Sequence, residues 1–297
     1  MVVAPLTLSS LVLATLLVAA LPFVLYRRLR RPLALKPRDA IAGIAVFALF
    51  AMVIERALND YMLHRNEATA TFLSNPLAFV VYGALAAGIC EEVGRFIGMR
   101  LLMKRAAASA AASAAASAAA SAAASASTVA STPQATRTDD GTALTYGLGH
   151  GGAEAWLVGV LVQIQWILFA VLENRGELDG YLSNLPTESL MRIHLILASL
   201  TPQTAGIFAL ERVAALIFQI GLSVLMWRGL RAGWREILPL AIVLHALVDV
   251  PAALFQAQLV PLAAVDAVYA LGALVVAGLL FRTFRRPGAE RMTELPR

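Results

Sequence analysis

The sequence predicts an all-α membrane protein, a polytopic bundle of about seven transmembrane helices. Hydrophobic residues make up 59% of the 297 residues and charged residues only 14%, whereas a soluble domain is about 45–50% apolar. The mean hydropathy is +0.73. No stretch shows the alternation of apolar and polar residues that is typical of strands. We therefore expect one membrane domain and contact with the lipid bilayer along its length.

Seven apolar stretches are each long enough to cross a hydrocarbon core of ~30 Å. The first carries no positive charge before it and a basic cluster after it, so it is predicted to be an uncleaved helix and not a signal peptide. The predicted spans are approximately residues 4–26, 40–58, 77–102, 144–171, 204–227, 237–256 and 261–282.

The distribution of basic residues predicts the orientation of the bundle. Most of the 24 Lys and Arg residues lie in 27–38, 100–140, 228–235 and the tail from 282. Seven spans would place these four segments on one side, and basic loops favour the cytoplasm. The N-terminus is therefore expected outside and the C-terminus in the cytoplasm. The net charge of +5 reflects these clusters, so we expect no nucleic-acid partner.

Residues 104–140 are predicted to form a cytoplasmic insertion, which is partly helical and partly disordered. Its first part, 106–127, consists almost entirely of Ala with regularly spaced Ser. Alanine favours helix but offers no large apolar face for packing. As an eighth span the insertion would invert every later loop. We interpret it as a tolerated expansion that carries no chemistry.

Three predicted spans each carry two polar side chains four residues apart, a spacing that places both on one face of a helix. A charge at the centre of a bilayer costs roughly 2.5–3.5 kcal/mol on insertion scales, and such residues usually face a bundle interior or a wet cavity. The pairs are Glu91 and Arg95, His150 and Glu154, and His245 and Asp249.

These side chains are predicted to lie at one depth. Counting 1.5 Å per residue from the inner ends places Glu91, His150 and His245 roughly 9–15 Å into the membrane. Gln219 of the fifth span falls in the same layer. We therefore expect a cavity that opens toward the cytoplasmic half.

Two imidazoles and a carboxylate form the ligand set of a catalytic zinc that keeps one position for water. Such a metal lowers the pKa of its water toward ~7, and a nearby carboxylate accepts the proton. Arg95 is expected to hold either Glu91 at i+4 or Glu92 at i+3. The alternatives are a hydrogen-bonded packing role for each His and a buried structural ion pair for Glu and Arg. Glu211 and Arg212, nearer the outer side, are interpreted as such a structural pair.

The chain resembles the YhfC-type family of intramembrane metallopeptidases, which is similar to the wider CAAX-prenyl-protease and bacteriocin-processing (CPBP) group. The resemblance covers most of the chain apart from the Ala/Ser insertion. It rests on Glu91-Glu92-Val93-Gly94-Arg95, on Gly149-His150-Gly151-Gly152-Ala153-Glu154 and on His245-Ala246-Leu247-Val248-Asp249.

The resemblance implies that Glu91 activates water, with Glu92 and Arg95 in support. It implies a metal or transition-state role for His150 and His245, and Asp249 stands where the wider group often has Asn. Two features depart from the pattern: Glu92 and Arg95 enclose two residues where the wider group usually has three, and Gln219 replaces an expected histidine. Both leave open an altered metal affinity or a loss of catalysis. The possible supporting residues are Glu154, Gln219 and Glu211.

The leading hypothesis is a zinc-dependent intramembrane peptidase that cleaves a membrane-embedded or prenylated peptide from the cytoplasmic side, in the bacterial inner membrane. The first alternative is a non-enzymatic scaffold, immunity factor or chaperone that holds a partner helix in the polar cavity. The second is a cation-coupled transporter, which ranks last because the sequence shows no internal repeat.

Overall fold

The structure is a computed structural model that describes residues 2–123 and 139–284. Within those ranges all regular elements are helical, and seven helical stretches are long and apolar enough to cross a membrane. The prediction of an all-α, seven-span bundle is therefore confirmed. The spans are Pro5–Leu29, Pro37–Arg65, Pro76–Ser117, Gly141–Arg175, Pro202–Arg231, Ile237–Gln256 and Leu262–Phe284.

Short π-helical segments interrupt the second and fourth spans, and such segments frequently occur at functional sites. In chain order the elements are α1 (Pro5–Leu29), α2 (Pro37–Leu49), π1 (Phe50–Glu55), α3 (Arg56–Asp60), π2 (Tyr61–Arg65), α4 (Glu67–Leu73), α5 (Pro76–Ala123), α6 (Asp139–Glu154), π3 (Ala155–Val160), α7 (Leu161–Arg175), α8 (Leu178–Tyr181), α9 (Thr187–Ser199), α10 (Pro202–Arg231), α11 (Ile237–Gln256) and α12 (Leu262–Phe284).

Helix boundaries follow from local sequence signals. Proline occupies the first turn of α1, α2 and α10, where its missing N–H is not needed. The Asn66 side chain caps α4 by accepting hydrogen bonds from two backbone N–H groups. At the end of α7, Gly176 adopts φ = 70°, the left-handed conformation in which glycine is favoured.

The Ala/Ser run forms the last part of α5. Its side chains from Lys104 to Ser117 are exposed, so this part of the helix packs against nothing else that the structure describes. The remainder of the predicted insertion, 124–138, lies outside the described residues.

The two ends of the bundle differ in charge and packing. The end that bears the basic clusters is called the basic end, and the end that bears 66–75 and 257–261 is called the opposite end. A buried apolar cluster fills the basic end, where α5, α6, α10 and α11 meet. It includes Met99, Tyr146, Met226 and Ile237, each at most 1% exposed.

Two glycines allow one pair of helices, α2 and α6, to approach closely. A side chain at Gly43 would overlap the carbonyl oxygen of Tyr146, and one at Gly149 would overlap that of Ala40. These glycines join α2 to α6, one of the three most extensive helix contacts of the described bundle, together with α5–α11 and α10–α6. The three contacts bring the polar faces of α5, α6, α10 and α11 together.

Candidate active site

The polar centre of the bundle is built around two neighbouring carboxylates of α5. His150 Nε2 of α6 lies 2.9 Å from Glu91 Oε2, and His245 Nδ1 of α11 lies 2.7 Å from Glu92 Oε1. Each acid thus meets a histidine from a different helix, because successive positions diverge by about 100° around α5.

On its other side, Glu92 pairs with Arg95. The sequence left two partners open for this arginine, Glu91 and Glu92, and the structure shows Glu92, three residues before it. Glu92 Oε2 lies 3.1 Å from Arg95 Nε, and both side chains are fully buried. Nη1 of Arg95 donates to the Gln219 carbonyl oxygen at 2.8 Å and to Ser223 Oγ at 2.6 Å. Since a buried charge is stable only when it is paired and hydrogen-bonded, these contacts account for an arginine at this depth.

The Gln219 side chain connects the two halves of the centre. Nη2 of Arg95 donates to Gln219 Oε1. Because a guanidinium has only donors, the amide oxygen must face Arg95, and its NH₂ group must face away. That NH₂ donates to Glu91 Oε2 at 3.0 Å and to Glu154 Oε2 at 2.8 Å. Gln219 thereby holds the carboxylates of α5 and α6 together.

A cavity of about 520 Å³ lies directly against this centre, within the usual size range of ligand sites. Of the residues singled out in the sequence, Glu91, Glu154, Glu211, Gln219, His245 and Asp249 line it. Glu92, Arg95 and His150 lie behind the lining, each fully buried. Only the first group is therefore placed to meet a ligand in the cavity.

His245 is the imidazole that reaches the cavity. With Nδ1 held by Glu92, its Nε2 is 3.5 Å from Asp249 Oδ2. An N–H at Nδ1 fixes the ring and aims Nε2 at the cavity. His150 instead supports Glu91 from behind, between the rings of Phe47 and Tyr146.

The cavity extends toward the opposite end of the bundle, whereas the sequence favoured an opening on the side of the basic clusters. Its walls come from π1 and α3, from the beginning of α5 and from the end of α11. Counting residues along each helix predicted that the polar groups meet in one layer. It could not show that the apolar cluster of four helices fills the basic end.

Three polar residues of the cavity wall were not predicted from the sequence. Glu55, Arg56 and Asn59 of the second span line it. Asn59 accepts a hydrogen bond from Tyr82 at 2.7 Å and donates to Glu55 at 3.3 Å. The signal was an acid inside an apolar span with an amide four residues later.

Arg212 has a different partner from the predicted one. Its Nη1 lies 3.7 Å from Glu154 Oε1 of the neighbouring helix α6, and no ion pair joins it to Glu211 among the described residues. Adjacent residues on a helix point in different directions, which explains the outcome.

The expected zinc site was tested against these contacts, and the residues as arranged do not fit it. His150 and His245 face different carboxylates instead of a common point with Asp249. Between Glu91 and Glu154 stands the NH₂ group of Gln219, a donor without a lone pair for a metal. No group of three His, Cys, Asp or Glu side chains in 2–123 and 139–284 is arranged to hold a metal ion.

Comparison with known proteins shows the family. The model of the family described as YhfC intramembrane metalloprotease matches residues 17–117 and 132–270. The chain is also 32% identical over 231 residues to a protein of Bacillus subtilis (strain 168) described as "Uncharacterized membrane protein YhfC", and the match covers 77% of this chain and 78% of the relative. No solved structure matches. The chain is an integral membrane protein that belongs to the YhfC intramembrane metalloprotease family.

Proposed function

We propose that this protein is an intramembrane peptidase in which Glu91 activates the attacking water. The observation that carries the proposal is the double restraint on one oxygen of this carboxylate. Oε2 meets His150 and Gln219, while no described side chain is hydrogen-bonded to Oε1 on the cavity side. A carboxylate held in this way keeps one oxygen aimed at a water that enters the cavity.

The proposed step uses only groups of this chain. Glu91 accepts a proton from water, and the resulting hydroxide attacks the carbonyl carbon of the scissile peptide bond. Glu91 then passes the proton to the leaving nitrogen, which departs as an amine when the C–N bond breaks. His245 takes part as an imidazolium, protonated at both ring nitrogens between Glu92 and Asp249. Its Nδ1–H donates to Glu92, and its Nε2–H is positioned to donate a hydrogen bond to the developing oxyanion.

Zinc, expected from the resemblance, does not enter this step because the predicted ligands do not converge. The family is described as metalloproteases, so whether this protein binds a divalent metal is to be measured. Protein purified without chelators is to be analysed for bound metal, and activity is to be compared before and after dialysis against a chelator. Because the proposed step uses no metal, we expect activity to be unchanged after the chelator treatment. Its loss and its return with added zinc would assign the chemistry to a metal.

The test of the proposal is cleavage of a membrane-peptide library by purified protein in detergent or liposomes. Glu91→Gln is expected to lower kcat by about 10²–10⁴-fold, the usual contribution of a general base. Asp266→Asn is the matched control, since this acid of α12 lies outside the cavity lining. Equal activity of Glu91→Gln and wild type would refute the proposal.

A further inference from the structure

The basic end of the bundle is closed to a substrate. From Glu91 toward that end, α5 carries Arg95 and Met99, neither of which is exposed. Tyr146 of α6 and Met226 of α10 complete the packing and are equally inaccessible. Interiors packed in this way have few voids larger than a water molecule. A polypeptide therefore cannot reach Glu91 from this end without unpacking the core.

The opposite end is open along several helices. Small residues form much of the cavity wall there, among them Ala51, Gly83, Ala87 and Ala252. A side chain added at Gly83 would meet no atom within 4 Å. Small residues allow a second backbone to approach closely inside a membrane. The wall is thus suited to a polypeptide segment.

Acids outnumber basic side chains in the lining of the cavity. Among the described residues, Glu55 accepts a side-chain hydrogen bond only from Asn59, and Asp249 is paired with His245, whose Nε2 lies 3.5 Å from its Oδ2. No Lys or Arg of the described residues forms an ion pair with either acid. Five acids line the cavity, whereas its basic side chains are Arg56, Arg212 and His245, and Arg212 is paired with Glu154. A basic side chain of a ligand would supply the missing opposite charge.

We propose that the cavity receives, from the end opposite the basic clusters, an apolar polypeptide segment that carries a Lys or Arg beside Glu55 and Asp249. If basic loops lie in the cytoplasm, the substrate is presented from the non-cytoplasmic side of the membrane. This inference rests on the proposed function for the fate of the segment, but its side of entry and its charge are independent of hydrolysis.

The side of entry is tested by labelling single cysteines with a membrane-impermeant maleimide. The background is Cys90→Ala, which removes the only cysteine. Gly83→Cys places the thiol in the cavity. Gly278→Cys is the control, because a side chain at this glycine also meets no atom within 4 Å but lies outside the cavity lining. Trp234→Cys places a thiol at the basic end, where Trp234 is exposed. We expect Gly83→Cys to react in intact cells, Trp234→Cys only in inverted vesicles, and Gly278→Cys in neither.

Two labelling results would overturn the inference. One is reaction of Gly83→Cys only from the side that labels Trp234→Cys, and the other is its failure to react from either side. Labelling of Trp234→Cys in intact cells, with Gly83→Cys reached only in inverted vesicles, would overturn the assignment to the non-cytoplasmic side.

The charge of the segment is tested with photo-crosslinkable apolar peptides that differ only in a central Lys, Gln or Glu. They are to be incubated with the Glu91→Gln protein, so that turnover does not remove them. We expect at least tenfold stronger capture of the Lys peptide than of the Glu peptide, and a smaller difference when Glu55→Gln is added. Equal capture of all three overturns the inference.

The outcomes separate this inference from the proposed function. A protein that labels and captures as expected but cleaves no peptide refutes only the peptidase. A protein that cleaves peptides but shows labelling from the basic end, or no preference for Lys, refutes only the inference.

Discussion

At the scale of single residues, Glu92 is the acid with the strongest structural role. It meets His245 Nδ1 at 2.7 Å and Arg95 Nε at 3.1 Å, and its side chain is fully buried. Removing one member of a buried pair leaves the other charge uncompensated, at a cost of about 3–5 kcal/mol. Its contribution to catalysis therefore acts through the position of His245.

We expect Glu92→Gln to lower the free energy of unfolding by about 3–5 kcal/mol. Unfolding in increasing SDS, followed by circular dichroism, measures the change. Glu188→Gln is the matched control, because Glu188 forms an exposed ion pair with Arg192 at 2.7 Å and such pairs contribute about 0–1 kcal/mol. An equal loss of stability in the two variants would contradict the structural role of Glu92.

Gln219 permits a second prediction at this scale, since its amide restrains Glu91 without filling the place of the reacting water. Gln219→Met removes both donors at nearly constant volume. A hydrogen bond to a charged group contributes about 1.5–3 kcal/mol, so kcat is expected to fall by about tenfold to hundredfold. Gln163→Met, at a buried glutamine outside the cavity lining, is the control. An unchanged kcat, measured on the same peptide, would exclude Gln219 as a positioning residue.

The residues of the centre were predictable in part because helical spacing is local. Positions four apart share a face, and the His245–Asp249 approach at 3.5 Å follows that rule. His150 and Glu154 share a face as well, yet the polar partners of each lie on other helices. Which helix supplies a partner depends on the rotation and register of the whole bundle, and spacing along one helix does not contain that information.

At the scale of elements, the contact between α2 and α6 aligns the histidine of the site. Gly149 immediately precedes His150 and packs on the backbone of Ala40. A Cβ there would force the helices apart, and a shift of α6 would move His150 away from Glu91. The glycine therefore couples helix packing to the geometry of the carboxylate.

We expect Gly149→Ala to destabilise the protein by about 1–3 kcal/mol, the usual cost of overpacking, and to lower kcat. Gly278→Ala is the matched control, since a methyl group at Gly278 meets open space outside the cavity lining and alanine favours helix by about 1 kcal/mol. SDS unfolding and peptide cleavage are to be measured for both. A stable, fully active Gly149→Ala would show that α2 and α6 tolerate separation.

At the scale of the whole molecule, composition and charge were sufficient to predict seven apolar helices, because the bilayer imposes the length and the helical hydrogen bonding of every span. The cavity depends instead on the sizes of side chains from six spans. Met99, Tyr146 and Met226 fill one end, whereas Gly83 and Ala87 leave the other unfilled. Glu55 was not predicted as a cavity residue for the same reason, because it lines the cavity only through the position of π1 in the bundle.

The Ala/Ser run provides the last prediction, since it continues α5 away from the bundle. Its side chains from 104 to 117 are exposed, and none of them lines the cavity. Lengthening or shortening such a connection changes the free energy of closure only slowly. Deletion of residues 108–127 is therefore expected to change the free energy of unfolding by less than about 1 kcal/mol and to leave kcat unchanged. SDS unfolding and peptide cleavage are the measurements, and an equally long deletion within 210–229 of α10 should abolish folding. Loss of activity in the 108–127 deletion, with intact folding, would show that the run has a functional role, because its side chains from 108 to 117 are exposed and do not line the cavity.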